Sequence, residues 1–299
     1  MFIHYNIIIF ALFFIEMLSF KKRLPNQLTR LYSKKSNIES QYIRNIKNKH
    51  TFHESEVENF LKENEFIKNK KILSISPGGF KGFYVMGICK FIKDNYDLDN
   101  FIFSGASAGA WNSLLLCFNR NIDEIQNEIL DSTLQNTDKI SEIENRIKNR
   151  MLETYTTEDF DLRRLFIGVT TFDKNYYKPN TTIFTGFDNL EDALNCCIAS
   201  SHIPLVTGGF TNVYRDILSF DGGFSRHPYL NTTKSVLHLT PNIWKKKNKT
   251  IPTSMSITDY TTLFSKAQYK FTEMVEKGYN DSNENKKTLE GVFDIKTTV

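Results

Sequence analysis

The sequence predicts an α/β domain in which a mostly parallel sheet lies between two layers of helices. Short apolar runs typical of buried strands alternate with stretches whose apolar residues recur every three or four positions, as on one face of a helix. Two of these runs also end in Gly-rich turns that lead directly into a helical stretch. This is the order expected where parallel strands are connected by helices.

The predicted elements follow one another through the body of the chain. A strand over 72–75 precedes a helix over 83–94, and a strand over 101–103 precedes a helix over 110–118. Between 121 and 151 isoleucines at steps of three and four predict amphipathic helices, whose charged residues we expect on a solvated face. The later elements are strands over 165–172, 181–185, 217–220 and 235–239, and helices over 190–200 and 262–277.

Composition excludes several classes of protein. The chain has 299 residues, of which 38 are Lys or Arg and 34 are Asp or Glu, so its net charge is only +4. This excess is too small to indicate a nucleic-acid-binding protein. Four cysteines without a C-x-x-C pair indicate neither a disulfide framework nor a zinc ribbon, and we expect buried free thiols.

The two ends of the chain differ from its body. Residues 1–20 form a hydrophobic segment that Glu16 interrupts and that the basic residues 21–23 follow. This order favours a membrane anchor with a cytoplasmic body, although a secretory signal and a helix lying in the membrane interface remain alternatives. We expect a basic polar linker with a short helix over 21–70, the folded body over 71–280 and a frayed polar tail over 281–299.

The turn after the second strand matches the pattern G-x-S-x-G with Ser107 at its centre. Such a turn between a strand and a helix is typical of a nucleophile elbow, in which the serine adopts a strained backbone conformation and its neighbours must be small. All four neighbours here are Gly or Ala. The N-terminus of the following helix would also direct its dipole and free N–H groups toward the serine.

The turn after the first strand contains Gly78, Gly79, Phe80, Lys81 and Gly82. Glycines allow backbone N–H groups to approach an anion closely, either a dinucleotide pyrophosphate or the oxyanion of a reacting ester. The dinucleotide pattern G-x-G-x-x-G is incomplete because position 77 is proline. An oxyanion loop next to a serine elbow accounts for both turns.

Asp221 is the third candidate residue. It follows the strand over 217–220 and precedes two glycines. Its carboxylate could accept the proton of Ser107 if burial raises its pKa above the reference value of ~3.9. An ordinary Asp-Gly turn at a strand end is the alternative interpretation.

These three turns, in this order, resemble the patatin-like phospholipase family between about residues 71 and 278. The segment 199–204 is also similar to a recurrent segment of that family, and the surroundings of Gly82 and Ser107 are similar to its animal triglyceride-lipase, or adiponutrin-like, branch. Pro77 departs from the family pattern, in which many members carry glycine. Proline lacks a backbone N–H, which leaves the identity of the oxyanion donors open.

The resemblance implies a patatin-like three-layer α/β/α fold and a lipid acyl hydrolase. Ser107 would be the nucleophile, Asp221 the base that activates it, and residues 78–82 the oxyanion hole. No metal or cofactor is implied. The substrate would be a phospholipid or an acylglycerol at a membrane or lipid-droplet surface, with no nucleic-acid partner.

Two alternatives come from other classes. A Ser-His-Asp esterase or acyltransferase could use His227 or His238, both of which follow Asp221. A catalytically inactive, membrane-associated lipid-binding protein would need neither Ser107 nor Asp221. Hydrolysis and acyl transfer share the same acyl-enzyme, so the sequence leaves the acceptor open.

Overall fold

The computed structural model describes residues 62–137, 139–172, 179–225, 227–230, 235–244 and 270–296, together with the backbone of 42–45. The chain divides into two compact units. One unit, Met1–Ser40 with Pro252–Thr261, lies outside the described residues, so the predicted hydrophobic segment 1–20 does as well. None of the described helices is long and apolar enough to cross a bilayer.

One sheet forms the centre of the other unit. Its main path runs in the order β1-β5-β4-β3-β2-β8, and the hairpin of β6 and β7 joins it through β4. The neighbours β4-β3-β2-β8 are parallel, whereas β1, β5 and β7 pair antiparallel at one side. The strands are β1 (Tyr42–Asn45), β2 (Lys71–Ile75), β3 (Phe101–Gly105), β4 (Leu165–Phe172), β5 (Pro179–Phe184), β6 (Asn212–Tyr214), β7 (Ile217–Phe220) and β8 (Ser235–Leu239).

Eight helices accompany the sheet within the described residues. They are α1 (Gly82–Asn95), α2 (Ala108–Leu116), α3 (Ile122–Ile129), α4 (Ser132–Gln135), α5 (Ile140–Thr154), α6 (Leu190–Ser200), α7 (Phe271–Glu284) and α8 (Lys286–Glu290). The predicted three-layer α/β/α class with a mostly parallel central sheet is confirmed. Helices α1, α2 and α6 lie at the positions that the hydrophobic spacing predicted.

Both faces of the central strands are buried, as their near-continuous apolar sequences require. Side chains alternate between the faces along each strand. Leu73 and Phe103 belong to the main core, whereas Ile72, Ile102 and Phe166 belong to a second cluster. Because β2 and β3 are parallel and Ile75 pairs with Gly105, the turns that follow these two strands lie side by side at one edge of the sheet.

Helix α7 crosses α1 at a pair of glycines. A Cβ on Gly87 would collide with the Val275 carbonyl, and one on Gly278 would collide with the Tyr84 carbonyl. Glycine is required at both positions because the two backbones approach so closely. The hydroxyl of Tyr84 also donates to Asp281 at 2.5 Å.

The chain after α7 contradicts the predicted polar tail. Helix α7 continues to Glu284, α8 follows it, and Leu289 and Phe293 are buried. Phe293 stacks on Tyr96 with the ring centroids 5.3 Å apart. Residues 281–296 therefore belong to the folded body, because apolar side chains in this polar sequence pack against the end of α1 and against β3.

The predicted linker over 21–70 also needs correction. Strand β1 lies within it and pairs antiparallel with β5. Of the predicted short helix, the described part contains a 3₁₀ turn at Glu65–Ile67, in which Ile67 is buried and Phe66 is exposed.

Candidate active site

Ser107 occupies the turn between β3 and α2 with φ 54° and ψ −128°. This conformation is strained for any residue with a side chain, and it is the conformation expected of a nucleophile elbow. A Cβ on Gly105 would collide with the Gly109 carbonyl, and a Cβ on Gly109 would collide with the Ile75 carbonyl. The predicted reason for small neighbours is therefore confirmed.

A buried serine that the sequence analysis did not single out supports this turn. The backbone N–H of Ser107 donates to Ser200 Oγ at 2.8 Å, and Ser200 Oγ donates to the Gly168 carbonyl at 2.7 Å. Ser200 thereby connects the elbow to β4 and α6. Its position in the family-like segment 199–204 was the available signal, but that signal gave no role.

Asp221 lies directly beside Ser107. Ser107 Oγ donates to Asp221 Oδ2 at 2.6 Å, and the Gly223 N–H donates to Asp221 Oδ1 at 2.5 Å. The backbone of Asp221 is fixed as well, because its N–H donates to the His202 carbonyl at 2.7 Å and its carbonyl accepts from Thr170 Oγ1 at 2.9 Å. Both oxygens of the carboxyl group and both backbone polar groups are therefore held in place.

Burial raises the pKa of Asp221 to about 6, although the hydrogen bonds from Ser107 and Gly223 act in the opposite direction. Only 4% of the residue is exposed. Desolvation disfavours the charged carboxylate more than these two donors favour it. A carboxylate with this pKa is a better proton acceptor near neutral pH than an exposed aspartate.

The loop over residues 78–82, predicted as an oxyanion hole, lies beside the elbow. Gly79 has φ 50°, which glycine adopts readily, and a 3₁₀ turn covers Gly79–Lys81. Within this turn the N–H of Lys81 donates to the Gly78 carbonyl and the N–H of Gly82 to the carbonyls of Gly79 and Phe80. The first N–H groups of a helical turn have no acceptor within it. This geometry narrows the predicted donors to Gly79 and Phe80, with Gly78 at the loop entrance.

The oxyanion loop and the elbow are in direct contact. A Cβ on Gly82 would lie 2.7 Å from the Cβ of Ala108. Asn112 connects the two turns, since its amide Nδ2 donates to the Gly82 carbonyl at 3.1 Å and to the Ala108 carbonyl at 3.0 Å. Asn112 was also not singled out from the sequence, where a single amide in an apolar helix gives little signal.

Pro77 directly precedes the loop and packs against Gly223. A Cβ on Gly223 would lie 3.2 Å from the Cβ of Pro77, so this proline covers the turn that follows Asp221. Position 77 precedes the two candidate donors, Gly79 and Phe80. The missing N–H of the proline therefore leaves both donors in place.

A cavity of about 120 Å³ opens beside Ser107. Gly79 and Phe80 line it next to the serine, and the rest of its wall comes mainly from apolar side chains of α1, α2 and α5. Its lining includes Phe83, Met86, Trp111, Ile140, Ile143 and Ile147. An apolar cavity with a few polar groups at one end is typical of a binding site for a hydrophobic small molecule.

Glu144 of α5 contradicts the prediction that the charged residues of 121–151 form a solvated face. It lines the cavity and is 8% exposed. Burial raises the pKa of its carboxyl group well above the usual range, although a hydrogen bond with the Ser201 hydroxyl acts in the opposite direction. The sequence signal was its position four residues after Ile140, on the same helical stripe.

Neither histidine of the alternative triad lies between Ser107 and Asp221. His227 is exposed, and His238 packs edge-on against Tyr229 with centroids 5.0 Å apart. In a Ser-His-Asp triad the imidazole lies between the serine and the aspartate. The direct hydrogen bond between Ser107 and Asp221 leaves no room for it. Among the described residues, no group of three or more His, Cys, Asp or Glu side chains could hold a metal ion.

A family model described as Patatin-like phospholipase matches residues 73–230, more than half of the chain. The chain belongs to the patatin-like phospholipase family. The match contains the oxyanion loop, the elbow and Asp221, and it supports lipid acyl hydrolase activity in general, with a lipid as substrate. A comparison with curated proteins found no match.

Proposed function

We propose that the protein hydrolyses fatty-acyl esters of phospholipids or acylglycerols through a Ser107–Asp221 dyad and an acyl-enzyme. The observation that carries the proposal is the 2.6 Å hydrogen bond from Ser107 Oγ to Asp221 Oδ2 beside an apolar cavity. A nucleophile paired with a buried base, next to a site for a hydrocarbon chain, is the arrangement that this chemistry needs.

In the first half-reaction Asp221 Oδ2 accepts the Ser107 proton while Oγ attacks the ester carbonyl carbon. The N–H groups of Gly79 and Phe80, with the N-terminus of α2, stabilise the negative charge that develops on the carbonyl oxygen. The carbon–oxygen bond to the alcohol then breaks, and the leaving alkoxide takes the proton from Asp221. The acyl group remains on Ser107, with its hydrocarbon chain in the cavity.

In the second half-reaction a water molecule attacks the acyl-enzyme. Asp221 accepts a proton from this water and returns it to Ser107 Oγ when the fatty acid leaves, which restores the starting state. If a lipid alcohol replaced the water, the same steps would give acyl transfer. Phospholipids and acylglycerols are the two candidate substrate classes.

The test is fatty-acid release from vesicles that contain both phosphatidylcholine and triacylglycerol, measured by mass spectrometry. Ser107→Ala and Asp221→Asn should lower release by at least roughly three orders of magnitude. Ser113→Ala is the matched control, because this serine lies in α2 and its Oγ has no hydrogen-bond partner among the described residues. The lipid consumed identifies the substrate class.

His227→Ala separates the alternatives in the same assay. We expect it to keep activity, and loss of activity would instead support a triad. If folded wild-type protein released no fatty acid from either lipid, an inactive lipid-binding protein would be the better explanation. New acylglycerols formed in place of free fatty acid would indicate a transferase.

We also propose that residues 1–20 anchor the protein to a membrane or lipid-droplet surface. The folded body would lie on the cytoplasmic side of that surface. The hydrophobic run followed by three basic residues supports this arrangement. Deletion of residues 1–20 should move most of the protein from the membrane fraction to the soluble fraction. Unchanged membrane association of the deletion variant would contradict the proposal.

A further inference from the structure

An exposed apolar loop follows α6 and its turn. Residues 204–213, here named the apolar loop, contain Leu205, Val206, Phe210 and Val213, each between 44% and 54% exposed. None of the ten residues is charged, although 24% of the whole chain is. Single exposed apolar side chains are common on proteins, but four within nine positions form a patch that indicates an interaction surface.

The loop is held together by its own hydrogen bonds. The N–H groups of Val206 and Thr207 both donate to the Ile203 carbonyl at 3.0 Å, and the Ile203 N–H donates to Thr207 Oγ1 at 2.7 Å. Leu205 has φ 63°, which is unusual for a branched side chain. Backbone groups bonded within the loop can leave water at little cost, which entry into a lipid layer requires.

The apolar loop also borders the reaction site. Thr207 lines the same cavity as Ser107. His202, at the base of the loop, accepts the Asp221 N–H through its carbonyl, and its ring packs against the loop, where a Cβ on Gly208 would lie 3.4 Å from it. One residue therefore connects the loop to the candidate catalytic aspartate, so the position of the loop is fixed relative to the cavity.

We propose that the apolar loop enters the surface of a lipid layer and turns the cavity toward its substrate. The inference rests on the proposed function, because an ester that resides in a lipid layer must pass from that layer into the cavity. A lipid surface fits the loop better than a protein partner does. The loop offers four apolar side chains and no charges, whereas a stable protein interface requires ~800 Å² on each side with polar contacts at its rim.

The first test compares two substrates. Leu205→Asn combined with Phe210→Ser removes two exposed side chains, and asparagine tolerates the positive φ of position 205. We expect hydrolysis of dioleoylphosphatidylcholine or triolein in vesicles to fall by roughly tenfold or more. Hydrolysis of a monomeric short-chain ester, p-nitrophenyl butyrate, should stay within about twofold, since the reacting groups are unchanged.

Ile295→Ser is the matched control for this comparison. Ile295 is 63% exposed and pairs with Tyr96, beyond the end of α1 that lies away from the oxyanion loop. It should leave both activities unchanged. Equal losses on both substrates in the double variant, or no loss on vesicles, would overturn the inference. Absence of wild-type activity on both substrates would refute the proposed function instead, and the second test would still apply to the loop.

The second test requires no catalysis. All four native cysteines are buried, so a cysteine introduced at the surface can be labelled selectively with an environment-sensitive fluorophore. With Val213→Cys in the full chain, dioleoylphosphatidylcholine vesicles should shift the emission to shorter wavelength, whereas the label on Ile295→Cys should not respond. An unchanged spectrum at position 213 would overturn the inference. A shift that depends on protein concentration without vesicles would also overturn it, since it would indicate self-association.

Discussion

The two ends of the cavity differ in how much room they leave. At the catalytic end, backbone carbonyls lie so close to Gly105, Gly109 and Gly222 that none of them can carry a methyl group without displacement. The opposite wall is formed mainly by Ile, Leu, Met and aromatic side chains around a cavity of about 120 Å³. Rigid packing holds the reacting atoms in place, whereas flexible side chains can adjust to a hydrocarbon chain.

The two buried carboxyl groups, Asp221 and Glu144, differ in the hydrogen-bond donors that surround them. Asp221 receives hydrogen bonds from Ser107 and Gly223, and its pKa is about 6. Glu144 adjoins Ser201, whose single proton already goes to the Cys197 carbonyl at 2.9 Å. Hydrogen-bond donors therefore oppose the effect of burial on the pKa more strongly at Asp221 than at Glu144.

Among the three predictions that follow, the largest effect should come from adding one methyl group at the catalytic end. In Gly222→Ala the new Cβ would lie 2.7 Å from the Cβ of Ala106 and closer still to the Gly168 carbonyl, so Asp221 must move. We expect kcat/KM for a soluble ester to fall by roughly 100-fold or more, the cost of a displacement of about 1 Å. Gly209→Ala is the control, because nothing lies within 4 Å of its Cβ. Wild-type kinetics in Gly222→Ala would contradict the prediction, because they would show that this turn accommodates an added methyl group.

The second effect is a pH dependence set by Asp221. Because its carboxylate must be ionised to accept the Ser107 proton, and burial raises its pKa to about 6, activity should fall as the pH drops through 6. Below that value kcat/KM should decrease about tenfold per pH unit. A pH–rate profile on a soluble ester measures this, with His227→Ala expected to give the same profile. A midpoint near that of an unperturbed aspartate would contradict the assigned role.

The smallest effect concerns stability at Glu144. Its folded-state pKa is raised, so the folded protein retains a proton that the unfolded chain releases above about pH 4.5. This group's contribution to the free energy of unfolding therefore decreases as pH rises from there toward the folded-state pKa. Glu144→Gln removes this dependence, so its advantage over wild type should grow by about 1 kcal/mol per pH unit in that window.

Denaturant unfolding at about pH 5 and pH 7 measures the Glu144 effect. Glu153→Gln, on the exposed side of the same helix, is the matched control. Activity of Glu144→Gln should stay close to wild type, because an amide resembles the neutral acid in shape. Equal stability differences at both pH values would show that Glu144 is ionised in the folded protein.

Local sequence sufficed for the features that depend on local crowding. The small neighbours of Ser107 and the glycines after Asp221 are needed by the turns in which they lie, so spacing alone indicated them. The spacing of apolar residues also located most helices and strands, because this spacing reflects burial on one face or on both. Narrowing the candidate oxyanion donors required the structure, which shows which N–H groups of the loop already have acceptors.

Features that depend on distant partners could not be predicted. Glu144 looked like part of a solvated face, because a helical period does not reveal that a cavity lies against it. The segment after Asn280 looked like a tail, because Tyr96 and Phe101, the partners that cover Phe293, lie nearly 200 residues earlier in the chain. Ser200 and Asn112 act through backbone groups, which leave no mark on the spacing of side chains.

The position of β8 limits how far the domain can be shortened. The family match ends at residue 230, before β8, and β8 covers the outer side of β2 in the sheet. A fragment that ends at the match would leave β2 as an uncovered edge strand, which is a template for aggregation with other chains. It would also remove α7 from its glycine crossing with α1. A recombinant form of this domain should therefore extend at least to residue 296.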